Sequence, residues 1–178
     1  MLARLREILW REAGDQHSVL WLFLVNDVLG SFALPARIRT QLLRLFIPGI
    51  DRRALVRARV VFKSRNVRIG PGSVVSYRVM FDTREGIRLG RNVSVGADAR
   101  FLTSDHELDD PTRRSGRGVG APIVVGDGAR VAVNATVLKG VTIGAGAVIG
   151  ASSVVTRDCE PHMLYVGAPA KPVRKLPV

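Results

Sequence analysis

Cysteine is nearly absent from this sequence: the single residue, Cys159, excludes a disulfide framework within the chain and a cysteine cluster for zinc. Aromatic residues make up only 6%, which argues against a bulky sandwich core and for narrow packing of Val, Ile, Leu and Ala. Long hydrophobic runs are missing too. The longest early one, residues 19–25, ends at Asn26 and Asp27, and a bilayer needs about 20 apolar residues. Glu7, Arg11 and Glu12 precede that run, so no signal-peptide layout is present and a cytoplasmic location is expected. Acidic residues are few, 15 against 27 Lys and Arg, giving a formal charge of +12. That excess suits an anionic partner, or simply a basic soluble surface, since the arginines are scattered. No basic-aromatic interleaving or helix-turn-helix pattern points to specific nucleic-acid binding.

What the sequence does contain is a repeat. From Val125 an aliphatic residue returns every six positions: Val125, Val131, Val137, Ile143, Ile149 and Val155. Four positions after each stands a small or modest residue: Ala129, Ala135, Val141, Ala147, Ser153 and Cys159. Ile69, Val75 and Phe81 form an earlier phase, and Leu89, Val95 and Phe101 another, offset by two residues at Arg84-Glu85-Gly86. That offset predicts a bulge or widened turn. A period of six is neither the 3.6 of a helix nor the two of a half-buried strand. It is the period of a parallel β-helix, with the aliphatic residue filling the prism and the small one facing inward at a corner. In that scheme Cys159 is a small-residue position and a buried structural thiol.

The remainder divides around the repeat. Residues 1–50 read as an α-helical cap: Leu2, Leu5, Ile8 and Leu9 have helical spacing, a second apolar stretch covers residues 19–34, and Pro35 can open a third helix. In that helix Ile38, Leu42, Leu45 and Phe46 share one face. A solenoid needs its end covered, and a cap does so; a basic amphipathic membrane-surface anchor is the alternative. Residues 51–160 form the β-helix. Its repeat lapses over 102–121, a polar excursion too long to be a simple corner, and such loops are usually functional or mobile. Residues 161–178, with three prolines in GAPAKPVRKLPV, form an extended tail.

Three histidines are present. His17 lies in the cap and His162 at the tail, while His106 stands at the root of the excursion, where a rigid scaffold presents a side chain. Its imidazole titrates near neutrality and suits proton abstraction; a structural histidine is the competing reading. No serine or cysteine nucleophile has a persuasive histidine partner, which favours direct transfer over a covalent acyl-enzyme.

With the repeat, the SDHELDD root and the GAPAK tail together, residues 60–176 resemble the hexapeptide-repeat acyltransferases, nearest to the maltose, galactoside and nodulation O-acetyltransferase group. Residues 121–171 carry the most specific part. The resemblance implies an all-β fold with a helical appendage: a left-handed parallel β-helix, assembled as a homotrimer with active sites between subunits. It implies acetyl-CoA or another acyl-CoA as co-substrate, no metal, and His106 as the catalytic general base that activates a hydroxyl or amine of a small acceptor. Cofactor contacts carry over to Arg130, Ala132, Ala151, Thr156, Lys171 and Arg174, and acceptor contacts to Ser76, Asp82 and Arg84. Arg130 stands where the group usually has Trp, and Val133 where it often has Gly or Ser. These departures put a sugar acceptor in doubt. Arg130 and Arg84 suit an anionic acceptor or are solvated surface residues. Two other functions share the fold: a γ-type carbonic anhydrase, disfavoured by the lack of further histidines in the repeat, and a trimeric scaffold without catalysis.

Overall fold

The structure, a computed structural model, describes residues 19–178; His17 and the helical spacing of Leu2, Leu5, Ile8 and Leu9 lie outside the described residues. From residue 50 the chain winds as a parallel solenoid with three faces. On the first face the order is Val67–Ile69, Ile87–Leu89, Ile123–Val125, Thr142–Ile143. The second stacks Leu55–Val56, Val74–Val75, Ser94–Val95, Arg130–Val131, Val148–Ile149 and Met163–Gly167. The third stacks Val61–Phe62, Met80–Asp82, Arg100–Leu102, Thr136–Leu138 and Val154–Val155.

The hexad residues form three buried columns inside the prism. Ile69, Leu89, Val125 and Ile143 share one, Val75, Val95, Val131 and Ile149 the next, and Phe81, Phe101, Val137 and Val155 the third. The aromatic residues are few but concentrated: Phe62, Phe81 and Phe101 stack with ring centroids 5.3 and 5.2 Å apart. Ala129, Ala135, Ala147 and Ser153 are fully buried at the corners, where a larger side chain has no room.

Departures from the hexad fall at one corner, between the third face and the first. Phe62 to Ile69 takes seven residues, Phe81 to Leu89 eight, and Phe101 to Val125 twenty-four. Arg84-Glu85-Gly86 is the bend that absorbs the second of these. The last corner is shortened instead, and this corrects the place of Cys159. It pairs with Ile143 and so occupies the aliphatic column, because it follows Val155 by only four positions rather than six.

The open end of the prism is closed by α1 (Val19–Leu22), a π-helical turn (Phe23–Val28) and α2 (Ala36–Phe46). Gly30 separates the two halves, since a Cβ there would lie 1.9 Å from the Asn26 carbonyl oxygen. Pro35 directly precedes α2, as its missing N–H allows. The first strands would leave their backbone groups unpaired, and cap side chains satisfy them. The Asn26 amide donates to the Phe62 carbonyl at 3.1 Å and accepts the Phe62 N–H at 2.9 Å. Thr40 Oγ1 accepts the Val56 N–H at 2.9 Å.

The buried face of α2 follows its apolar spacing only in part: Phe46 packs against the core and Leu42 is half-buried. Arg39, Thr40 and Leu43 point inward, while Ile38 and Leu45 are exposed. The reason is polar: the Arg39 guanidinium donates to the carbonyls of Leu29, Ser31 and Leu34 in the turn before α2.

Candidate active site

The excursion leaves the third-to-first corner as an antiparallel arm rather than an irregular loop. Ser104–His106 pairs with Gly118–Gly120, setting His106 opposite Gly118 and Ser104 opposite Gly120. Glu107 and Arg117 prolong the ladder: the Glu107 N–H bonds the Arg117 carbonyl, and their side chains pair at 2.6 Å.

Side chains beneath the arm fix it. Thr103 is buried and donates its hydroxyl to the Asp82 carbonyl at 2.7 Å while accepting the Glu85 N–H at 3.0 Å. Ser104 bonds the Asp82 carboxylate, which also faces Lys63 at 3.5 Å. Arg84 donates to the Gly118 carbonyl at 2.9 Å, on the residue opposite His106. A Cβ at Gly118 would come within 2.6 Å of that guanidinium, so the glycine lets Arg84 lie flat against the arm.

Strand alternation then orients the site. Ser104 faces the Asp82 carboxylate, so His106, two residues on, lies on the same face of the arm. Asp105 faces the other way and accepts the Lys139 ammonium at 2.8 Å from the next coil. Its second oxygen accepts the His106 N–H at 2.8 Å. The Lys139 and His106 hydrogen bonds, in that order, hold the Asp105 carboxyl below the usual range, so it stays ionised and keeps gripping the arm. Below lies an open cleft of about 500 Å³ lined by Lys63, Ser64, Asp82, Thr83, Arg84, Glu85 and Ser104. Two cations and two carboxylates make it polar and close to neutral. His106 is exposed two residues beyond Ser104, which lines this cleft, and an imidazole so placed can take a proton from a bound hydroxyl or amine.

His106, Asp82 and Arg84 therefore gather at this corner, and Thr156 lies exposed on the same edge two coils further on. The other expected site residues lie elsewhere. Ser76, Ala132 and Ala151 follow the second face, at the corner where it turns into the third. Arg130 is exposed on the second face between Ser94 and Val148. The Ala132 N–H is committed to the Ile149 carbonyl at 2.9 Å, whereas Ala151 is exposed. Lys171 and Arg174 lie on Ala170–Lys175, which folds back antiparallel to Met163–Gly167; the extended tail is thus a strand of the second face. Lys171, Arg174 and Lys175 are all exposed, a cationic surface suited to phosphates. Among the described residues no group of His, Cys, Asp and Glu could hold a metal.

Sequence reasoning missed Lys139, Thr103 and Ser104. Lys139 is 34 residues from Asp105, and only the stacking of successive coils joins them.

Comparison with known proteins agrees with the coil. Residues 122–157 match the family model described as bacterial transferase hexapeptide (six repeats). A candidate acetyltransferase of Schizosaccharomyces pombe is 42% identical over 111 residues, 62% of this chain and 54% of its own length. The chain spans 54 to 62% of the length of the curated relatives it matches first. Among solved structures, a Vibrio cholerae hexapeptide-repeat acetyltransferase complexed with acetyl coenzyme A is 28% identical, with a TM-score of 0.74 over 97% of this chain and 89% of that one. A maltose O-acetyltransferase from Clostridium difficile is 26% identical, with a TM-score of 0.80 over 97% of this chain and 90% of that one. By repeat, coil and relatives, this chain carries a hexapeptide-repeat coil and is similar to hexapeptide-repeat acetyltransferases.

Proposed function

We propose that the protein transfers an acetyl or other acyl group from CoA to a hydroxyl or amine of a small acceptor, with His106 as general base. The observation that supports this reading is the braced arm, which carries His106 two residues beyond Ser104 at the edge of the Asp82–Arg84 cleft, on a coil similar to that of a Vibrio cholerae acetyltransferase complexed with acetyl coenzyme A. An acceptor in the cleft gives its proton to the imidazole as its oxygen or nitrogen attacks the thioester carbonyl. The tetrahedral species collapses, the carbon–sulfur bond breaks, and the departing thiolate takes the proton back from the imidazolium. Asp82 and Arg84 would hold the acceptor, and the exposed cations Lys171 and Arg174 would meet CoA phosphates.

The two groups of site residues occupy different corners of one chain, so a complete site is expected between neighbouring subunits of a homotrimer. Arg130, Ala132, Ala151 and Ser76 would be supplied from the second-face side. A cytoplasmic location, where acyl-CoA is available, belongs to the same reading.

His106→Ala is the direct test. With a panel of hydroxyl and amine acceptors, turnover should fall by about 10²- to 10⁴-fold. CoA binding measured by calorimetry and the oligomeric state should persist. Undiminished turnover in the variant would remove His106 from the chemistry, and absence of CoA binding in the unmodified protein would favour a scaffold.

A further inference from the structure

The positive charge is concentrated at the capped end. Residues 19–68 contain ten Lys and Arg against only Asp27 and Asp51, so they carry +8 of the formal +12. The same segment exposes large apolar side chains. Phe32 is 62% exposed, Leu45 76% and Phe23 54%, with Ile38 one helical stripe from Leu45 on α2. Apolar groups left in water beside cations are the composition of a surface that lies on a membrane.

A second observation points the same way. A cleft of about 720 Å³ opens on the first face next to the cap and is lined by Arg44, Arg52, Arg53, Arg68 and Arg88, with Asp51 the one carboxylate among them. Arg68 and Arg88 are direct register partners on adjacent strands. Like charges set opposite each other destabilise a sheet, and among the described residues neither is paired with a carboxylate. Arg44 is pre-oriented by hydrogen bonds to the Ile50 carbonyl and to Gln41. Asp51 meets only Arg53, at 3.6 Å. The cleft therefore holds five guanidinium groups against one carboxylate, a set suited to phosphate.

We infer that the capped end docks on an anionic phospholipid surface. Phe23, Phe32, Ile38 and Leu45 enter the interfacial layer, and the arginine cleft receives lipid phosphates. The charge alone would also suit nucleic acid or a soluble polyphosphate, but neither has a use for exposed aliphatic side chains. No described helix is long and apolar enough to cross a membrane, so the contact is one of lying on the surface. The inference uses no residue of the His106 site and stands independently of acyl transfer.

Flotation of the full chain, in its native oligomeric state, with vesicles of phosphatidylcholine alone or mixed with phosphatidylglycerol reads this directly. The protein should float with the anionic vesicles only and dissociate as salt rises. The pair Arg68→Gln and Arg88→Gln should weaken binding by roughly 30-fold, at about one unit of surface attraction per cation. The pair Phe23→Ser and Leu45→Ser should leave only weak, readily salted-off binding. All four positions are outside the core, and unchanged melting and CoA binding would certify the fold of each variant. Equal flotation of the parent and both variants, or no flotation at all, overturns the inference. So does retention on duplex DNA or displacement by inorganic pyrophosphate that is indifferent to the Phe23 and Leu45 changes.

Discussion

Cys159 shows how a single side chain reports on its position in the coil. It closes the aliphatic column above Ile143 and is buried. Burial, with the nearby Asp158 carboxylate adding to it, pushes the thiol up to about 11. The folded state thus favours the neutral thiol. Its stabilising contribution is complete below the ordinary thiol range, near 8.5, and is lost as pH rises through about 11. Melting temperature should therefore decline across that alkaline interval in the parent, and a Cys159→Ala variant should decline less over the same interval. A thiol reagent applied at pH 8 should react only at the rate of unfolding, because the nucleophilic thiolate is both scarce and covered. Rapid labelling of the native protein would contradict this placement.

At the scale of elements, the cap acts as a substitute coil. Asn26 supplies one donor and one acceptor to Phe62, the pair that a preceding strand would supply. Replacing it with Ala leaves a buried N–H and C=O unsatisfied, at a cost of about 2 kcal/mol. Denaturant unfolding of Asn26→Ala should show that loss, while the proposed acyl-transfer turnover per folded molecule stays unchanged. The hexad columns were legible in the sequence because each inward position is set by local spacing alone. The two-residue offset at Arg84-Glu85-Gly86 was legible for the same reason. What local spacing does not encode is which coil lies above which after an insertion. Hence the Asp105–Lys139 pair, which bridges 34 residues, was invisible, and so was the slot of Cys159 after a shortened corner. The inward turn of Arg39 on α2 was not legible because a periodicity argument ranks an arginine as surface and ignores the carbonyls of the preceding turn that its guanidinium reaches. The arm's ladder escaped notice because glycines at 116, 118 and 120 suggest a loop, whereas at 118 and 120 they make room for Arg84, Glu85 and Thr103 beneath paired backbone.

The whole molecule sets the last question, because one chain separates the residues that the proposed reaction must combine. His106 rises from the third-to-first corner, whereas Ala151 sits where the second face turns into the third. The width of the third face lies between them, on the order of 15 Å of extended chain. Neighbouring copies related by rotation about an axis along the prism would bring one corner of each to the opposite corner of the next. On that arrangement His106→Ala and Ala151→Arg each inactivate a homogeneous trimer, the first by removing the base and the second by filling the pantetheine path with an exposed arginine. Unfolding the two variants together and refolding them as a mixture tests the geometry. A site is complete where a chain with intact His106 meets a neighbour with intact Ala151, which random assortment provides at roughly a quarter of the interfaces. The mixture should therefore recover roughly a quarter of parent turnover. Mixing without refolding should recover none. A refolded mixture as inactive as its components would place both residues in the same subunit's site, and the second-face residues would then have to reach the cleft by another route.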